Sequence, residues 1–166
     1  GHPDINGKLV DGYDFISNAE RADDGDGIDG DPTDEGDGSG TYHGTHVAGI
    51  IGALSNNGTG VSGVSWGAEI MPVRMLGKEV SGSAGTSYDL LQALRYAAGM
   101  TNDSTTLPTK PADIINLSLG GGSSNTPERN LLADIVDAGI IVVAAAGNES
   151  SSAPSYPAAY DGVISV

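Results

Sequence analysis

Residues 139–146 (GIIVVAAA), closed by Gly147-Asn148, restrict the fold more than any other part of the sequence. The run is almost continuously apolar. A strand buried on both faces needs such a run, and strands of that kind belong to parallel sheets held between helical layers. The neighbouring segments alternate to match. Residues 126–138 read as a helix, with Pro127 early enough that its missing N–H is no loss. Residues 86–98 carry apolar side chains at 88, 91, 94, 97 and 98, an amphipathic stripe, with Thr86 or Ser87 as cap. Residues 46–54 are apolar and rich in Ala and Gly, with helix character. Strands are expected at 8–15, 69–76, 114–119 and 162–166, with Pro72 limiting the ladder on one side of the second. Strand and helix in alternation imply βαβ units and an α/β fold, three layers in the order α/β/α around a mostly parallel sheet. There is no obvious first element at Gly1, and a strand is opening at the other end. The 166 residues are therefore expected to be the central part of one domain, a fragment or one chain of a nicked protein.

Charge narrows the functional classes. The chain has 22 Asp+Glu against 7 Lys+Arg, a formal charge of −15. Nucleic acid and acidic membrane surfaces would repel such a polyanion, whereas metal cations and basic substrates suit it. Cysteine is absent, which excludes disulfides, thiolate zinc sites and a thiol nucleophile. The longest mostly apolar run, 138–147, is far short of the roughly 20 residues of a membrane span. No leader-peptide pattern is visible, so any targeting segment is expected to have been removed or to lie outside this sequence.

Five segments could carry chemistry. His43-Gly-Thr-His46 puts two histidines three apart at the start of an apolar helix. Zinc would need spacing four and an intervening Glu, so the open readings are a capping or core histidine and a general base presented to a cleft. Asn148 follows a buried strand, where it either closes a turn or offers its amide to an oxyanion. The segment 116–122 (NLSLGGG) is either a flexible turn or an edge that pairs with an extended peptide. Residues 58–63 match G-x-G-x-x-G, but they follow a helix and lead toward a strand, the wrong context for dinucleotide binding. The insert at 23–40 interleaves Asp23, Asp24, Asp26, Asp29, Asp31, Asp34 and Asp37 with glycines that let the backbone fold sharply. That chemistry suits Ca²⁺, which takes about 6–8 oxygen ligands. It is not an EF-hand, because Ile28 and Asp29 stand where that loop needs an oxygen ligand and a glycine.

In their order along the chain these motifs resemble the subtilisin-like serine proteases, the subtilases. His2-Pro3-Asp4 resembles the segment after the family's catalytic Asp, and the insert resembles the calcium loop of some secreted bacterial members. The resemblance implies a serine endopeptidase acting by a Ser-His-Asp mechanism. His43 would be the general base and Asn148 the oxyanion donor. Ser118, Leu119 and Gly120 would pair with the substrate backbone, with residues 81–85, Gly82 among them, as the opposite wall. Ala145, Ala146 and Gly147 would line the pocket beside the scissile bond, with Glu149 at its rim favouring basic residues. It also implies a Ca²⁺ site at Asp4, Asn57 and the carbonyls of Leu54, Thr59 and Val61, beside one in the insert at Asp24, Asp26, Asp29, Asp31 and Asp34. The implied partners are a polypeptide substrate and the remaining segments of the same catalytic domain, in this or a companion chain. The implied location is extracellular. The sequence departs from the family in two places: it has neither the D-[ST]-G motif of the catalytic Asp nor the G-T-S-M-A motif of the nucleophile. The chain alone is therefore expected to be inactive. The rival readings are a non-catalytic calcium-binding module derived from a subtilase, and an acidity that reflects salt adaptation.

Overall fold

A computed structural model describes residues 1–80, 82–121 and 123–166. After one 3₁₀ turn at Pro3–Ile5, the elements are β1 (Tyr13–Asp14), α1 (Ala19–Ala22), α2 (His43–Gly52), β2 (Val73–Arg74), β3 (Gly77–Glu79), β4 (Gly82–Ala84), α3 (Ser87–Ala97), β5 (Ile114–Leu117), α4 (Thr126–Asp137), β6 (Ile141–Ala144) and β7 (Ile164–Ser165). Strands β5, β6 and β7 form a parallel sheet in that order, with Ile114 opposite Ile141 and Val143 opposite Ile164. A second parallel pair joins β1 to β2. The α/β architecture with parallel sheets is thus present.

The two long helices start where their caps are. Thr86 and Asp89 form a reciprocal capping box at α3. Asn125 Oδ1 accepts the Glu128 N–H at 2.9 Å to open α4, with Pro127 in the first turn. Leu90, Ala93, Leu94 and Ala97 of α3, and Leu131, Leu132 and Ile135 of α4, recur every three to four residues. They pack against Ile115, Leu117, Val142 and Ala144 of the sheet. Tyr13, Phe15 and Tyr96 close the β1 side, their ring centroids 5.1–5.5 Å apart.

Four expectations change. Within residues 1–166 the 139–146 strand is covered on one face only: burial alternates along β6, and Ile141 is 48% exposed, on the same face as Ile114 and Ile164. Helices α3 and α4 cover the other face, and among the described residues none of their core partners comes from this one. The strand expected over 69–76 shrinks to Val73–Arg74, since Pro72 has no N–H to give and only an isolated bridge joins Leu9 to Ile70. The first strand likewise shortens to Tyr13–Asp14. Finally, β3 and β4 form an antiparallel hairpin that the sequence reading did not contain. Ser81 and Gly122 lie outside the described residues.

Candidate active-site cleft

Helix α2 begins at His43, three residues earlier than its apolar run, and Tyr42 gives it no side-chain cap. The cap comes from the acidic insert instead. Asp34 Oδ2 accepts the Thr45 N–H at 2.9 Å and the Thr45 hydroxyl at 2.7 Å. A carboxylate at this end satisfies an orphan N–H and opposes the helix dipole. Asp34 Oδ1 is held by the Gly36 N–H at 3.1 Å, so the cap is itself fixed. His43 stands exposed in the first turn and lines a cleft of about 610 Å³.

Gly82, Ser118, Leu119 and Gly120 line the same cleft. Chain positions some forty and eighty residues away from His43 are thus brought to one concavity. Strand β5 stops at Leu117, whose carbonyl accepts from Ala145 N, and beyond it Ser118, Leu119 and Gly120 make no backbone hydrogen bond among the described residues. Gly121 N–H donates to the Tyr156 carbonyl at 3.1 Å. Tyr156 and Pro157 also line the cleft, as do Thr86, Leu90 and Glu128. The sequence reading missed these. Tyr156-Pro157 sits in a Ser/Pro/Ala-rich stretch with no pattern of its own, and the other three read as parts of ordinary helices.

Ala145, Ala146, Gly147, Asn148 and Glu149 run on from β6 and do not line this cleft. Ala146 N–H donates to the Val166 carbonyl at 2.7 Å, and Asn148 and Glu149 are exposed. The run still adjoins the substrate-strand candidate. A Cβ on Gly120 would stand 3.0 Å from Ser155 Oγ and 3.4 Å from the Ala145 carbonyl.

Asp4 is buried, and Asn57 Nδ2 donates to it at 2.7 Å and Val61 N–H at 2.8 Å. These bonds, Asn57 first, hold its pKa below the ordinary carboxylate value. Leu54 N–H donates to the Asp4 carbonyl, and Thr59 N–H to Asn57 Oδ1. The loop closes so tightly that a Cβ on Gly60, whose φ is +56°, would meet Asp4 Oδ2 at 2.1 Å. In the insert, the Asp29 carboxylate pushes Asp26 up by hydrogen bonding and repulsion. Asp24 pairs with Arg74 at 2.7 Å, and Asp31 accepts from Thr33. No three acidic or histidine side chains among the described residues converge on a metal-sized site.

The profile of the subtilase family, peptidase S8, matches residues 1–166. The chain belongs to the subtilase family. It is 42% identical to an extracellular protease of Xanthomonas campestris pv. campestris, covering 99% of this chain and 30% of that protein. It is 38% identical to thermitase of Thermoactinomyces vulgaris, covering 99% of this chain and 49% of that one. Among solved structures it superimposes on a protease from Pseudoalteromonas arctica with a TM-score of 0.86 and 38% identity, over 99% of this chain and 51% of that one. The fold is therefore subtilisin-like. This subtilase chain spans about a third to a half of the length of the relatives it matches.

Proposed function

We propose that this subtilase chain is the central part of the catalytic domain of a secreted serine endopeptidase. The observation that carries the reading is the shared cleft. The family's histidine motif and the two backbone segments matched to substrate-binding walls line one concavity, although they lie far apart in sequence. In the intact domain His43 takes the proton of the nucleophilic serine and returns it to the leaving amine. Asn148 donates its amide to the oxyanion, a contact whose loss costs on the order of 10²–10³ in turnover. Ser118, Leu119 and Gly120 pair with the substrate as an added strand, with Gly82 across the cleft. Ala145, Ala146 and Gly147 wall the pocket beside the scissile bond. The serine and the triad carboxylate come from the remaining segments of the domain, in this or a companion chain, so residues 1–166 alone hydrolyse nothing. Secretion is supported by relatives whose names call them extracellular.

Ca²⁺ belongs to the same proposal. Asp4 is a buried carboxylate whose side-chain donors, the Asn57 amide and the Val61 N–H, are neutral, and a carboxylate beside an Asn amide is the hard, oxygen-bearing chemistry that Ca²⁺ prefers. Asp4, Asn57, Leu54, Thr59 and Val61 would hold it. Bound calcium supplies two positive charges and cross-links the loops that carry these oxygens. The insert carboxylates Asp24, Asp26, Asp29, Asp31 and Asp34 do not converge in this way among the described residues, so the arrangement present does not fit a second ion there.

The test is a fluorophosphonate serine probe applied to the full-length protein, read by denaturing intact-mass spectrometry. One adduct is expected, outside residues 1–166, and His43→Ala should abolish both labelling and peptide hydrolysis. An intact protein that takes no label and cleaves no peptide would leave the non-catalytic module as the reading.

A further inference from the structure

Among the described residues two carboxylates line the cleft, Asp37 and Glu128, and no Lys or Arg does. Asp37 is saturated. It accepts from Ser39 N–H and hydroxyl and from Thr41 N–H and hydroxyl, at 2.5–3.0 Å. Glu128 differs. It is only 6% exposed, and its single donor is Asn125 Nδ2, to Oε2 at 2.7 Å. Burial pushes its pKa up against that bond. Among the described residues no cation pairs with it.

A structural duty would explain a Glu at this position. Asn125-Thr-Pro-Glu128 has the spacing of a capping box, in which the Glu side chain takes the backbone N–H of the cap residue. Here that N–H donates to the Tyr160 hydroxyl at 2.9 Å instead. The cap function of Asn125 rests on its own Oδ1. The Glu128 carboxylate thus bonds the side chain of the cap residue and not its backbone. Its Oε1 accepts no hydrogen bond among the described residues and no buried side-chain oxygen among them lacks a partner, so Oε1 keeps some contact with solvent, and Glu128 lines the cleft. A mostly buried carboxylate with one protein donor and one oxygen still open is complementary to a cation that brings its own N–H groups.

Resting on the protease reading above, we propose that Glu128 is a specificity-determining residue, its Oε1 receiving a basic side chain, Arg or Lys, of a peptide lying in the cleft. The peptide's guanidinium or ammonium donates to Oε1 and replaces the missing partner. A neutral side chain of the same shape leaves the carboxylate as it is. The bond is charge-assisted and partly desolvated, so a preference on the order of tenfold is expected, which corresponds to about 1.4 kcal/mol.

The test uses the full-length protein and peptides carrying Arg, citrulline or Ala in turn at each of the four positions before the scissile bond. Binding is read by fluorescence anisotropy on non-cleavable analogues, and kcat/KM on cleavable ones. Arg should outbind citrulline about tenfold at one position. In Glu128→Gln, which keeps the Asn125 contact, the Arg-to-citrulline ratio should fall to about one. Equal binding of Arg and citrulline at all four positions by the unmutated protein overturns the proposal without need of a variant. So does a ratio that survives Glu128→Gln. Arg selectivity in binding without hydrolysis of any peptide would retain the subsite and defeat the protease reading. Hydrolysis without Arg selectivity would do the reverse.

Discussion

Asp14 has no solvent access, yet it meets one cation and several dipoles. Ile16 N–H donates to it at 2.6 Å, and the Arg74 guanidinium reaches it, Asp24 and the Ala22 carbonyl together. Arg74 thereby pins the acidic insert to the β1–β2 pair. Burial outweighs these bonds and raises the Asp14 pKa to about 6. The folded state therefore holds this proton more tightly than the unfolded one. The group's stabilising effect is complete below the ordinary value of 3.8 and is lost as pH rises to about 6. Asp14→Asn should remove that decline, so melting temperatures of variant and parent should converge at the acid end of this window and diverge toward its upper end. Parallel profiles across the window would defeat the assignment. Single residues were unevenly legible. His43 sits in a short pattern that carries its own chemistry, whereas Asp4 and Asn57 stand out only through the family resemblance. Asp14 and Glu128 are two of 22 acidic residues, and only packing separates them from the solvated ones.

The elements were legible where their signals are local. Thr86 or Ser87 as cap with the apolar stripe of 88–98, and Pro127 early in 126–138, place α3 and α4 almost to the residue. The apolar run puts helix α2 at 46–54 and not at His43–Gly52; the start is late because the cap is remote. Asp34 is eleven residues from Thr45, and only the folded insert brings them together. The β3–β4 hairpin was missed for a related reason. Its strands are three residues each, and they pack through backbone approach rather than an apolar pattern, with Gly38 N–H bonded to the Gly82 carbonyl at 3.0 Å. The insert therefore touches both the helix that presents His43 and a strand on the other side of the cleft. Asp34→Ala should destabilise the full-length protein by about 1 kcal/mol, the usual cost of a lost N-cap. Asp34→Asn should recover most of it, because an amide oxygen still accepts the Thr45 N–H. Denaturant unfolding measures both, and an alanine variant as stable as the parent would mean that water caps α2 equally well.

At the scale of the molecule, one face of the β5–β6–β7 sheet shows Ile114, Ile141 and Ile164 to solvent, and Val166, Val64 and Trp66 are exposed as well. Large exposed apolar side chains gathered on one sheet face mark a contact surface. The α/β class was legible because strand and helix alternate. The open face was not, because an apolar strand reads the same whether its second covering layer lies near in sequence or elsewhere. Charge poses the other question at this scale. Fifteen excess negative charges repel one another in the compact state, and both general screening and specific calcium binding would relieve them. The two differ in what they require. Screening depends on ionic strength alone, whereas a bound ion stabilises by mass action at its own sites. Excess chelator should therefore lower the melting temperature of the full-length protein. Calcium should restore it, and sodium chloride at the same ionic strength should not. Asn57→Ala should weaken the calcium response if the Asp4 loop is one of the sites. A melting temperature indifferent to chelator but rising steeply with sodium chloride would assign the acidity to salt adaptation and remove calcium from the account of this fold.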